Sequence, residues 1–127
     1  MRALLDTSFF IASESGRPLA GAPEIDETEV SVVTVAELTV GVLLASAANR
    51  PRRLATLAAV ESTWDPLPID VDVARAFARI VADLRGRGRR VPVLDALIAA
   101  TALTAGIPVI TQDRDYEAIP GVRVTRV

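Results

Sequence analysis

Apolar and polar positions fall into two kinds of segment that take turns along the chain. Ala3 to Leu5 is a short apolar run that fits a buried strand, and Asp6-Thr7-Ser8 ahead of Phe9-Phe10-Ile11 is a helix-start signal. Ser15-Gly16-Arg17-Pro18 breaks that helix, and Glu24, Asp26, Glu27 and Glu29 predict an acidic loop. The β-branched run Val30-Ser31-Val32-Val33 predicts a strand. Thr34, with Glu37 three residues on, matches a capping box for a helix from Val35 to Ser46. Asn49-Arg50-Pro51 starts another helix running to about Trp64, and Pro66-Leu67-Pro68-Ile69 reads as a short extended piece. Asp70 or Asp72 then opens a helix from Val73 to Leu84, with Phe77, Ile80, Val81 and Leu84 at helical spacing. Gly86 and Gly88 end it inside an arginine-rich loop. Val93 to Ala105 predicts an Ala-rich helix closed by Gly106 and Pro108. Val109-Ile110-Thr111 predicts a strand, and Val122 to Thr125 a final one.

Strands separated by helices imply an α/β fold, a parallel sheet covered by helices on both faces. A chain of 127 residues, 50% of them hydrophobic, fits a single domain, 1–127, with one substantial core.

Composition narrows the chemistry more than the fold. Cysteine and histidine are absent, and all 14 cationic residues are arginine. Thiolate zinc sites, disulfides, cysteine or histidine catalysis and every lysine-based mechanism are therefore excluded. Carboxylates, hydroxyls, arginines and a metal that carboxylates hold are what remains. The net charge of -2 gives no global attraction to nucleic acid, so any such binding needs a local patch. Asp6 interrupts the first apolar run before a signal-peptide core could form, and the longer apolar runs contain Glu37 and Asp95. The expectation is a soluble cytoplasmic protein with no membrane span.

The position of the acids carries the functional signal. Asp6 is the only charge from Ala3 to Ser13, Glu37 the only one from Val30 to Asn49, and Asp95 the only one from Val91 to Gln112. Burying an unpaired carboxylate costs several kcal/mol or raises its pKa, and no arginine lies in those segments to compensate. A shared cation would resolve all three. Asp113 lies just beyond the Val109 to Thr111 strand, so it and Asp6 meet at the carboxyl edge of a parallel sheet, where such folds bind ligands. Glu37 and Asp95 belong to the first turns of helices that start there. Oxygen-only donors select Mg²⁺ or Mn²⁺ over zinc or copper.

Each acid also has a local role open to it. Asp6 fits an N-cap, Glu37 the return half of a capping box, Asp95 a partner of the helix dipole and Asp113 a polar turn. Asp115 competes with Asp113 for the same place. Around Glu37, Val33, Val40, Gly41 and Leu44 form an apolar stripe on which Gly41 would admit a close backbone. Arg85, Arg87, Arg89 and Arg90 are the best candidates for a mobile phosphate clamp, and Arg50, Arg52 and Arg53 form a second cluster. With only 4% aromatic residues, base stacking is a minor theme, and Trp64 reads as a packing residue.

In this order, Leu4-Leu5-Asp6-Thr7-Ser8, Val35-Ala36-Glu37-Leu38, Leu94-Asp95-Ala96-Leu97-Ile98-Ala99-Ala100 and Val109-Ile110-Thr111-Gln112-Asp113-Arg114-Asp115-Tyr116 resemble the PIN-domain ribonucleases. At this length the resemblance is to the VapC-type toxins of bacterial toxin–antitoxin pairs. It implies a PIN-like, Rossmann-like short parallel sheet, a homodimer, a VapB-type antitoxin partner and hydrolysis of RNA with Mg²⁺ or Mn²⁺. Asp6 and Asp95 would be the principal metal ligands, Glu37 and Asp113 would complete the shell, and Thr7, Ser8 and Thr111 would lend hydroxyls. Tyr116 stands where many relatives carry Phe, and Gln112 replaces a basic residue often found after the strand, which bears on phosphate contacts.

The main alternative is a non-catalytic PIN-like module that binds RNA or protein, against which the four intact acids argue. A phospho-accepting receiver needs a lysine that the chain lacks. A haloacid dehalogenase-type phosphotransferase needs a second acid where Ser8 stands.

Overall fold

A computed structural model describes residues 2–16 and 26–127. Arg17-Pro18 and Glu24, read above as a helix break and part of a loop, lie outside the described residues.

Four parallel strands form one sheet in the order β2-β1-β3-β4, with β1 Arg2–Leu5, β2 Glu27–Glu29, β3 Val109–Thr111 and β4 Val124–Arg126. Side chains alternate across it, as a period of two requires. Leu4 and Val109 face one layer, built on α4 (Val71–Gly86) and α5 (Val93–Ala105). Ala3, Leu5 and Ile110 face the other, with Phe10 of α1 (Thr7–Glu14), Leu38 of α2 (Val32–Leu44) and Val60 of α3 (Arg50–Thr63). Trp64 packs edge-on against Phe10, and its indole Nε1 donates to Thr28 Oγ1 at 3.0 Å, so it is a packing residue.

The helix caps explain where sequence and structure agree. Asp70 Oδ1 accepts from Val73 N at 2.9 Å and heads α4. Gly106 takes φ +70, and Ile107 N closes on Ala102 O at 3.0 Å, which ends α5 and turns the chain into β3.

The second strand and the helix after it differ from expectation. Val30-Ser31-Val32-Val33 is not a strand, because the buried Ser31 hydroxyl accepts from Val33 N at 3.0 Å and starts α2 there. A local cap outweighs the β preference of the valines, of which Val33 is buried on the helix instead. No capping box joins Thr34 to Glu37, since Thr34 is already helical. The acidic stretch read as a loop supplies β2 instead, at a sheet edge where charged residues are tolerated and Glu29 pairs with Arg2 at 3.0 Å. Val40 and Leu44 lie exposed on α2, so of the apolar stripe only Val33 joins the core. Gly41 receives no backbone; Arg53 Nη1 donates to its carbonyl at 2.8 Å.

Replacing Ser31 by Ala removes the α2 cap and leaves Val33 N–H unpaired in the interior. A loss of about 1 kcal/mol of unfolding free energy is expected in urea titration, with an unchanged m-value.

Candidate metal centre

Parallel strands deliver their carboxyl ends to one edge. Asp6 follows β1 there and Asp113 follows β3. Helix α5 runs into β3, so its first turn, with Asp95, starts from that same edge.

Asp6 is the most enclosed of these acids, at 3% exposure. It caps α1, and Ser8 N donates to its Oδ2 at 3.3 Å. Ser8 Oγ and Thr111 Oγ1 donate to the same oxygen at 2.7 and 2.9 Å, and the Tyr116 phenol donates to Oδ1 at 2.7 Å. The two hydroxyls accept in turn from the turn after β3: Gln112 N to Ser8 Oγ at 2.9 Å and Asp113 N to Thr111 Oγ1 at 2.8 Å. Each hydroxyl thus ties β3 to the end of β1 through a single carboxylate.

Asp95 is held very differently. One of its carboxylate oxygens lies within 4.8 Å of one from Asp113 and one from Asp115, which are as close to each other. Burial first, then the charges of Asp6, Asp113, Glu37 and Asp115, push the Asp95 carboxyl up to about 7. Glu37 is also raised, mainly by burial, against the opposing hydrogen bond that the Thr7 hydroxyl donates to its Oε1 at 2.8 Å. Among the described residues no arginine forms an ion pair with Asp6, Glu37, Asp95, Asp113 or Asp115. The donor set is all oxygen, strongly anionic and without a protein cation. It fits a hard divalent ion.

The acids read from the sequence thus surround Asp95, though not as one tight quartet. Asp113 and Asp115 both join it closely, while Asp6 and Glu37 act on it as neighbouring charges. Glu37 lies in the second turn of α2 rather than the first, since the helix begins at Val32. Thr7, Ser8 and Thr111 all bond to these acids. Arg85, Arg89 and Arg90 line one groove, whereas Arg87 pairs with Asp83 at 2.7 Å. The second arginine cluster is engaged locally: Arg50 with Ala45 O, Arg52 with Glu14 and Arg53 with Gly41 O. Tyr116 is the residue whose role sequence reasoning missed. It is fully buried, and burial and the charge of Asp6 push its phenol far up, so it stays a donor. Its hydroxyl, absent from Phe, was the available signal.

A family model described as "PIN domain" matches residues 3–122. Ribonuclease VapC5 of Mycobacterium tuberculosis is 48% identical over 98% of this chain and 94% of its own length. Ribonuclease VapC4 of the same organism is 43% identical over 99% and 97%. The crystal structure of VapBC-5 from Mycobacterium tuberculosis, a member of the VapBC family of toxin–antitoxin systems, aligns at a TM-score of 0.86 and 44% identity. That alignment covers 99% of this chain and 97% of the other.

The raised Asp95 sets a pH dependence whose sign is fixed. Its carboxyl titrates near 3.8 unfolded and near 7 folded, so the folded state binds more protons between those values. Metal-free stability should therefore fall as pH rises from about 4 to about 7, and Asp95→Asn should flatten that slope in urea titrations. Added Mg²⁺ should stabilise the protein more at pH 7.5 than at pH 5. Tyr116→Phe leaves Asp6 Oδ1 one donor short in the interior, and a loss of about 1–3 kcal/mol is expected in the same titration without metal.

Proposed function

The chain belongs to the PIN-domain family, and from that premise we propose that it is a Mg²⁺- or Mn²⁺-dependent endoribonuclease, the toxin of a VapBC-type pair. The observation that supports this reading best is Asp95, raised to about 7 by burial and then by surrounding acids with which, among the described residues, no arginine pairs. A purely structural or binding module gains nothing from such crowding, whereas a nuclease needs a divalent ion at that place. The full-length similarity to proteins named ribonucleases supports the same reading.

Asp6 and Asp95 would be the principal ligands, with Asp113, Asp115 and Glu37 completing the shell directly or through water. When bound, such an ion acidifies water and stabilises negative charge on phosphate oxygens. Asp6 contributes a fixed position. Its Oδ2 already accepts three hydrogen bonds and its Oδ1 one, so the lone pair open to a ligand is on Oδ1. Ser8 and Thr111 position that carboxylate and hold the β3 turn, hence Asp113, in register with it. Thr7 orients Glu37. No histidine is present to perform metal-free acid–base cleavage, so a 5′-phosphate product is expected. The phosphate-contacting cations are Arg85, Arg89 and Arg90, with Arg87 engaged by Asp83.

A VapB-type antitoxin is the protein partner. Exposed Val40, Leu43 and Leu44 on α2, with Leu54 on α3, offer apolar surface that a partner chain would cover. A homodimer and a cytoplasmic location follow from the family reading. No described helix is long and apolar enough to cross a membrane.

The test is cleavage of total RNA by purified protein with Mg²⁺, with Mn²⁺ and with chelator. Asp6→Asn and Asp95→Asn should abolish cleavage while circular dichroism stays native. Ser8→Ala, which removes a positioning hydroxyl, should lower activity about 10–100-fold. Full activity in either Asn variant, or undiminished cleavage in chelator, would refute the reading.

A further inference from the structure

The end of α4 closes so that three arginines gather around one groove. Gly88 takes φ +69, and Arg89 N donates to Leu84 O at 2.8 Å, which folds the chain back over the last helical turn. Arg89 and Arg90 are thereby returned to the side that carries Arg85, and the three border a groove of about 450 Å³. Phe77, Val81, Leu84, Pro92 and Val93 are among its apolar lining. Among the described residues the side chains of Arg85, Arg89 and Arg90 have no hydrogen-bond or ion-pair partner. Arg87 is turned to other use, since its partner Asp83 lines a separate groove.

We propose that this groove binds one nucleotide of the RNA strand, the arginines taking its phosphate and the apolar lining its base. The identity of the occupant rests on the ribonuclease reading; the groove and its chemistry do not. Three unpaired guanidiniums call for an anion, and planar forks match phosphate oxygens. An apolar lining beside them calls for an anion with a flat apolar part, which a nucleotide supplies. The volume lies within the roughly 300–1,000 Å³ of small-molecule sites. Such a groove selects among RNA sequences at one position, by the fit of the base against Val81 and Phe77.

The experiment is a methyl NMR titration of the full chain in chelator with AMP, GMP, CMP and UMP. Chelator keeps it independent of cleavage. Shifts are expected at the Val81, Leu84 and Val91 methyls, with different strengths for the four nucleotides. The combined variant R85S/R89S/R90S, all exposed positions, should weaken binding at least about tenfold. Arg87→Ser should leave it unchanged, and Val81→Phe, which fills the groove, should erase the differences among bases. Absent shifts, equal binding by the triple variant, or an equal loss in Arg87→Ser would overturn the proposal. So would methyl shifts that depend on protein concentration alone, which would put a second copy in the groove. A chain that cleaves RNA with Mg²⁺ but shows no such binding defeats only this inference. One that binds nucleotides here yet cleaves nothing defeats only the ribonuclease reading.

Discussion

Carboxylates repelling one another at the carboxyl edge of a parallel sheet set the terms for everything else in this molecule. A fold of this kind must bring the ends of β1 and β3 and the first turn of α5 together, because all its strands run one way. Placing Asp6, Asp95, Asp113 and Asp115 at those ends makes proximity unavoidable. The two apolar layers that Leu4 and Leu5 hold on opposite faces provide the stability that offsets the repulsion. Local electrostatics opposes folding here, and packing wins.

Two acids at the centre of this arrangement solve the same problem by opposite means. Asp6 is enclosed by donors, among them three hydroxyls that reach it from α1, β3 and the turn beyond β3. Such a carboxylate is fixed in place and is part of the frame. Among the described residues Asp95 receives no comparable set of donors; burial, and then the charge around it, lift it to about 7. It is the group whose state responds to what arrives. A frame that does not move and a neighbour that does respond are what a site needs if it is to take up an ion without reorganising.

Most of this was legible in the sequence because burial and charge conflict openly there. A single acid in each of three apolar segments is visible without coordinates, and so are Gly106 closing α5 and Asp70 opening α4. Ser31 was not read correctly because a capping hydroxyl between valines looks like strand alternation. The decision between the two depends on what buries Val33, a tertiary fact. Glu27 to Glu29 escaped notice as a strand because an edge position tolerates charge that a central one does not. The role of Tyr116 is hidden in the sequence, since only the fold shows its hydroxyl 2.7 Å from a carboxylate 110 residues away. The division of labour among the four loop arginines depends likewise on the turn at Gly88.

The central claim is that a divalent ion resolves the crowding of these acids. Anomalous diffraction from crystals grown with Mn²⁺ tests it most directly, because manganese alone would give a strong signal. A peak at bonding distance from the Asp6 and Asp95 carboxylates is expected, with Asp113 or Asp115 beside it. Full-occupancy manganese elsewhere, with arginine side chains swung in to neutralise the acids, would contradict it.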